Sequence, residues 1–489
     1  MFFEHLKAEL GLGIHERIMI YDKNKIINQE HISLLRDKYK YNIVYYRDVE
    51  EFRYIFETQI KKNKDRYLVL LYSDIYIPYD VRQEFNFMEI SYGNIFYKLN
   101  SYVLNNHPIF DMELLYISHE NLYRDISSEK ETEKFLEEEM YSDENVSEYM
   151  KYLKEEIEKE ISEADNYSRW LKIGTLFAKY EYVKHKISYF IDDYEFINDL
   201  QTKFRDFIFD NYKSLSSVSA YNAPVLLNRV LDHIFIHSTK PALIVMDGMS
   251  IEDWLIISED LKGVSYGFNT SFAIIPTITA ISRQSMLSGE LPALLKSPFN
   301  LNNEKTLFFD KCIENNYKDY EIKYYRGYDF QIDTRDKCIC VIINDIDDLI
   351  HSQKQGNAGM YRDVQLLSKS GKLLNMIKKL YNEGFDVFIT SDHGHKECVT
   401  IGTPKGAGVE VQTKSKRTLV LKEFGDYHRL MEELNLFEYS SFYLPKDYRY
   451  LICQHDEAMG IKGEKIVSHG GTSLQEVIVP FIKIKGVEA

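Results

Sequence analysis

Apolar and polar positions follow three successive patterns along the chain. Between residues 1 and 125, short apolar runs alternate with stretches whose apolar residues recur at helical spacing. The runs are RIMIYD (17–22), YNIVYYRD (41–48) and RYLVLLYSD (66–74). They predict strands of a small doubly wound α/β domain. No glycine-rich phosphate loop follows the first run, so this part reads as an interaction or scaffold domain. From 126 to 238 the spacing is helical and acidic, with no glycine until Gly174. A basic partner could dock there, but a solvated helix face is the plainer reading. From 239 to 489 apolar runs again alternate with helical patterns, which predicts an α/β domain with a mainly parallel sheet sandwiched by helices.

Three apolar runs of this last region end in acidic residues. PALIVMDGMS ends at Asp247; CICVIINDIDDLIHS ends among Asp345, Asp347 and Asp348, with His351 beyond; FDVFITSDHGH ends at Asp392 and His393. Continuous apolar runs suit strands buried on both faces. Open α/β sheets bind ligands beyond the carboxyl ends of such strands. One Asp after a strand is an ordinary turn residue; three, two of them with a nearby His, form a candidate metal site. Asp347 and His351 are four apart and share a side of a helical turn, with Asp345 in reserve. KIVSHGGTSLQEVIVP adds His469 ahead of Gly470 and Gly471, which allow a tight backbone path. Ser473 and Glu476 then read as a capping box. Carboxylate and imidazole donors suit zinc or manganese.

AIIPTITAISRQSMLSGE supplies a candidate nucleophile. A strand SFAIIP is expected to end at Pro276. Thr277 or Thr279 is then expected to cap a helix running to about Leu287 and stopped by Gly289. A hydroxyl there faces free N–H groups that favour a phosphate, and a metal bound to it makes it a nucleophile. Arg283, one turn in, is a candidate for a phosphate oxygen or for a surface ion pair. The segment 403–417, TPKGAGVEVQTKSKR, is basic through Lys405, Lys414, Lys416 and Arg417. Most of those lysines read as a solvated hairpin, and Arg417 is the substrate contact singled out.

Composition narrows the classes. The chain has 489 residues, 44% of them hydrophobic and 28% charged, with 38 Tyr and 28 Phe, so it is globular and long enough for two or three domains. Net charge is −16, which disfavours a broad grip on duplex nucleic acid. The five cysteines are scattered and odd in number, as expected for a reducing cytosol. Cys338 and Cys340 point to one face of a strand and read as packing. MFFEHLKAELGLG lacks the basic start and apolar core of a signal peptide. No apolar run approaches the roughly 20 residues that span a bilayer. A cytoplasmic protein without a membrane segment is expected.

The ordered set MDGMS, PTITAISRQSMLSG, INDIDDLIH, TSDHGH and SHGGTSLQEVIVP resembles the alkaline phosphatase superfamily, and its PglZ domain in particular. That domain occurs in bacterial phage-defence (BREX) systems and attached to some response regulators. The resemblance covers about the last half of the chain. It implies two divalent metal ions, usually zinc, with Asp247, Thr279, Asp392 and His393 on one and Asp347, His351 and His469 on the other. It makes Thr279, the second Thr of Pro-Thr-x-Thr, the nucleophile of an in-line displacement that passes through a phosphothreonine. His395 fits none of the ligand positions and is left as a phosphate contact or a structural residue. The 68 positions from Thr279 to Asp347 leave no room for the inserted domain of the phosphoglycerate mutases, and sulfatases need Cys or Ser where Thr279 stands. Threonine favours phosphodiester cleavage. The substrate is expected to be a phosphodiester, with nucleic acid or a nucleotide as candidates, and the partners to be proteins of a defence system. A phosphomonoesterase and a scaffold with vestigial chemistry are the alternatives.

Overall fold

The apolar runs of the first 125 residues fold as expected: β1 (Arg17–Asp22), β2 (Tyr41–Tyr45) and β3 (Arg66–Leu71) are strands, and a fourth, β4 (Asn86–Ile90), joins them. The order is β2-β3-β1-β4 with every pairing parallel. Asp22 shows why no glycine-rich loop is needed after β1. Its buried carboxylate accepts the N–H groups of Ile26 (2.9 Å) and Ile27 (2.8 Å), the donors a phosphate loop would offer. This is a computed structural model, and it describes residues 1–107, 109–163, 166–404, 408–411, 413–424 and 427–487.

The chain divides into two compact units, Met1–Lys151 and Tyr152–Ala489, and the division falls within the helix Asp143–Ser162. The stretch 126–238, expected as a region of its own, is therefore shared between the units. The reason lies in its apolar faces. Trp170 of the helix Tyr167–Lys186 packs on Phe204 and Phe207 of the helix Tyr194–Asn211, and Phe207 packs on Phe272 of the large sheet. Gly174 lets the first of these helices approach closely: a Cβ there would meet Ile478 at 2.9 Å.

The second unit is built on six strands, β5 (Pro241–Met246), β6 (Val264–Phe272), β7 (Ile322–Arg326), β8 (Cys338–Ile343), β9 (Asp386–Thr390) and a last strand at Ile478–Val487. Between β9 and that last strand come β10 (Lys396–Thr400), β11 (Gly408–Glu410), β12 (Thr418–Phe424), β13 (Phe437–Glu438), β14 (Arg449–Ile452), β15 (Glu457–Ala458) and β16 (Lys465–Ser468), so the last is β17. The large sheet has the order β6-β17-β9-β5-β8-β7. Its β9, β5, β8 and β7 are parallel neighbours, and β17 runs against both β9 and β6. The sheet is thus mainly parallel, as the sequence led one to expect. β5 and β8 are buried at every position, which is what uninterrupted apolar runs achieve between two layers of helices. All five cysteines are free and buried.

β9, β5 and β8 are adjacent, so the acidic residues at their carboxyl ends leave one edge of the sheet together. β10, β15 and β16 form a small separate sheet, and β16 ends at Ser468, directly before His469. Among the described residues no helix is long and apolar enough to cross a membrane.

Candidate metal centre

Two candidate ligand sets stand at that edge, one fully buried and the other buried except at His351. Asp247, Asp392 and His393 form one, Asp347, His351 and His469 the other, and within each the candidate donor atoms lie within 4.8 Å of one another. They adjoin: the His393 and His469 rings stack at 4.1 Å with 11° between their planes.

Asp247, Asp392, His393 and His469 are each held by the atom that does not face the centre. Asp247 follows β5, and its Oδ2 accepts from Arg283 Nη1 at 2.5 Å. Asp392 follows β9, and its Oδ1 accepts the N–H of Gly248 and of His393, both at 3.1 Å. His393 donates from Nδ1 to the Gly394 carbonyl (3.0 Å), and His469 donates from Nδ1 to the Thr277 carbonyl (2.8 Å). Both imidazoles are thereby turned so that Nε2 carries the lone pair into the centre. Asp347 and His351 lie one turn apart on the helix Asp345–Ser352, with His351 Nε2 3.2 Å from Asp347 Oδ1. It is Asp347, not Asp345, that enters the ligand set.

The atoms left over test whether metal ions fit. Asp247 Oδ1, Asp392 Oδ2, Asp347 Oδ1 and His469 Nε2 are buried and have no hydrogen-bond partner. Buried polar atoms are nearly always paired. Here two orphans belong to each set, and carboxylate oxygen with imidazole nitrogen is a donor set for a divalent transition-metal ion. The local electrostatics agree. Burial and the neighbouring Asp392 push the Asp247 carboxyl well above the ordinary carboxylate range. Burial and His393 push His469 well below the ordinary imidazole range. Burial would also raise Asp347, but the His351 imidazole, 3.2 Å from its Oδ1, and the nearby His469 outweigh this and hold it low.

Thr279 opens the helix Thr279–Ser288, and its Oγ1 lies 2.9 Å from His393 Nε2. Two expectations for this segment need correction. β6 stops at Phe272, short of Pro276, because the backbone leaves the sheet: the Tyr212 hydroxyl donates to the Ala273 carbonyl (2.6 Å) and accepts the Ile275 N–H (3.1 Å). Neither threonine caps the helix, whose N-cap is Ile278 with no side-chain cap bond. Thr277 instead braces the second ligand set: its hydroxyl donates to the Gly471 carbonyl (3.1 Å) and accepts the Gly470 N–H (2.9 Å). The expected stop holds, with Gly289 left-handed at φ +79°.

The three residues named as substrate contacts are engaged elsewhere. Arg283 makes no surface ion pair; it is buried and spans Asp247 and Glu304, which it reaches at 2.9 Å through Nε. Glu304 in turn accepts from the Tyr324 hydroxyl (2.5 Å) and from Arg326. Nothing in the sequence marked Glu304, Tyr324 or Arg326. Arg417 is fully buried, with Nη1 on Cys398 Sγ (2.6 Å) and the His455 carbonyl (2.9 Å) and Nε 3.4 Å from Glu476. His395 donates from Nε2 to Asp253 Oδ2 (2.8 Å), the same oxygen that accepts the Ser250 N–H and hydroxyl at the start of the helix Ile251–Ser258. It braces that turn. Glu476, expected in a capping box, does take the Ser473 N–H (3.2 Å) and hydroxyl. Lys405 lies outside the described residues.

Half of the chain matches solved structures of low similarity. Murine ectonucleotide pyrophosphatase/phosphodiesterase 5 is 12% identical over 50% of this chain and 87% of its own, with a TM-score of 0.36. Phosphonoacetate hydrolase from Sinorhizobium meliloti 1021, in complex with phosphonoacetate, is 12% identical over 50% and 90%, also at 0.36. Likeness at this level says nothing about the reaction. No curated protein matches the sequence. The family model of the BREX system PglZ alkaline phosphatase-like domain matches residues 226–484, which takes in both ligand sets, Thr279 and all of the large sheet but the end of β17, and the chain belongs to that family.

Proposed function

We propose that the chain is a metal-dependent phosphohydrolase, foremost a phosphodiesterase, with Thr279 as its nucleophile. The observation that carries this reading is the Thr279 hydroxyl at 2.9 Å from His393 Nε2, next to two buried carboxylate oxygens without partners. Asp247, Asp392 and His393, with Thr279, would hold one divalent ion, and Asp347, His351 and His469 the other, zinc being the first candidate and manganese the second. Such ions supply charge neutralisation at the phosphoryl group and a more acidic Thr279 hydroxyl.

The remaining work falls to the chain. Arg283, the Gly248 and His393 N–H groups, and the Gly394 and Thr277 carbonyls fix Asp247, Asp392, His393 and His469 before substrate arrives, so less reorganisation is needed during reaction. Thr279 Oγ1 gives its proton to water and attacks phosphorus. The bond to the leaving oxygen breaks in line, and that oxygen keeps the electron pair. Water then cleaves the phosphothreonine and restores the hydroxyl. A role in phage defence, in the company of other defence proteins, has the BREX family as its sole support.

The test is turnover of bis-p-nitrophenyl phosphate by protein loaded with zinc or manganese, with Thr279→Ala as control and p-nitrophenyl phosphate as the competing monoester. Wild type should hydrolyse the diester faster than the monoester, and Thr279→Ala should hydrolyse neither. Metal-loaded wild type as inactive as Thr279→Ala would favour a scaffold. A preference for the monoester would replace diesterase by monoesterase.

A further inference from the structure

We propose that Lys414 anchors the substrate, its ammonium meeting a non-bridging oxygen of the bound phosphoryl group beside Asp347; the proposal rests on the phosphohydrolase reading above. Lys414 Nζ lies 3.6 Å from Asp347 Oδ2, although the Lys414 side chain is 71% exposed and that of Asp347 only 3%. A solvent-exposed ammonium thus reaches a buried ligand carboxylate, which places it where the second ligand set opens to water.

The lysine is not on a free arm. Its neighbour Ser415 is buried and donates from Oγ to the His469 carbonyl at 2.8 Å. Ser415 Oγ also accepts the Arg417 N–H (3.2 Å), and the Thr418 hydroxyl donates to the Gly470 carbonyl. Gly470, at φ +109°, is the residue that admits this contact, since a Cβ there would meet Ser415 Oγ at 1.7 Å. The segment before β12 is therefore fastened to the segment that carries His469, and Lys414 sits one residue from the fastening.

Charge assigns the role. The centre holds three buried carboxylates, Asp247, Asp347 and Asp392. An anionic substrate approaching it needs a cation that faces water. Among the described residues, Arg283 and Lys414 are the arginine and lysine paired with a ligand carboxylate, and Arg283 is buried and shared with Glu304. At 3.6 Å, Lys414 is beyond ordinary hydrogen-bond length, so its donors are free for an anion. An exposed pair of this kind is weak, and the flexible four-carbon stem lets the ammonium move the short distance to a phosphoryl oxygen.

The experiment measures binding as well as turnover. Wild type, Lys414→Ala, Lys414→Arg and, as a control, the exposed neighbour Lys416→Ala are loaded with zinc. Metal content is measured by elemental analysis, and inorganic phosphate binding by calorimetry. Lys414→Ala is expected to hold as much metal as wild type and to bind phosphate about tenfold or more weakly, the effect of losing one charge-assisted contact. Lys414→Arg should recover most of the loss, and Lys416→Ala should match wild type. Phosphate bound equally well by Lys414→Ala of normal metal content overturns the proposal while leaving the phosphohydrolase reading intact. Metal-loaded wild type that binds no phosphate overturns both.

Discussion

Arg283 holds Asp247 by one oxygen only: Nη1 donates to Oδ2 at 2.5 Å, while Oδ1 is buried and unpartnered. The arginine is itself clamped by Glu304, so it aims the carboxylate without entering the ligand set. Partners of this kind, one layer behind the ligands, change metal affinity about 10–100-fold when removed. Arg283→Met should lower zinc affinity by that order, measured by competition with a chromophoric chelator. It should also cost about 3–5 kcal/mol of stability, because Glu304 is left buried with less compensation. Arg283→Lys keeps the charge but not the two-pronged grip and should fall between. Unchanged zinc affinity in a folded Arg283→Met protein would show that Asp247 is aimed by something else.

Removal of metal should be visible as lost stability. Burial and the neighbouring Asp392 raise the cost of ionising Asp247, and a divalent ion bound beside it would relieve this only in the folded chain. Zinc at about 1,000 times its dissociation constant should add about 4 kcal/mol. The expected result is a melting temperature that rises with zinc and falls back on chelation. Both responses should shrink in Asp392→Ala and in His469→Ala. A wild-type melting temperature indifferent to zinc, manganese and chelator would count against both ligand sets.

The candidate ligand residues could be picked out in sequence because strand-end carboxylates obey a simple rule. Buried parallel strands deliver the residues at their carboxyl ends to one edge, so Asp247, Asp347 and Asp392 are brought together by the order β9-β5-β8 alone. The D-x-x-x-H spacing on a helix did the same for His351. The surroundings were not legible, because they depend on long-range packing that leaves no local pattern. Glu304 lies 57 positions beyond Asp247 in the chain yet holds its arginine. Arg417 and Lys414 are three apart on one basic segment, and only the fold shows which is buried and which faces the centre.

That contrast gives a prediction. Arg417 is fully enclosed by Cys398, the His455 and Gln454 carbonyls and Glu476. Arg417→Ala should behave as a folding lesion, costing about 3–5 kcal/mol in urea unfolding through an unpaired buried Glu476. In whatever fraction remains folded, phosphate affinity should be that of wild type. A stable Arg417→Ala protein with weakened phosphate binding would restore the substrate contact that the sequence suggested.

A pH dependence should arise outside the two candidate ligand sets, at His185. Its Nδ1 lies 2.6 Å from Glu252 Oε1. Burial alone would lower this imidazole, but the Glu252 carboxylate outweighs burial, with help from Glu181, and raises it to about 9. Lys184 opposes them, and Glu181 is itself buried and raised. Because the folded value exceeds the ordinary one of about 6.5, the ion pair contributes its full stability below about pH 6.5 and loses it as pH rises through about 9. Other groups titrate in that range, so the measured quantity should be the stability difference between wild type and His185→Gln, which keeps a donor but cannot carry charge. Urea unfolding should show a wild-type advantage on the order of 2–3 kcal/mol near pH 6 that shrinks towards zero by about pH 10. A difference that stays constant over this range would mean that His185 is held as a neutral hydrogen-bond donor and that Glu252 takes the proton instead.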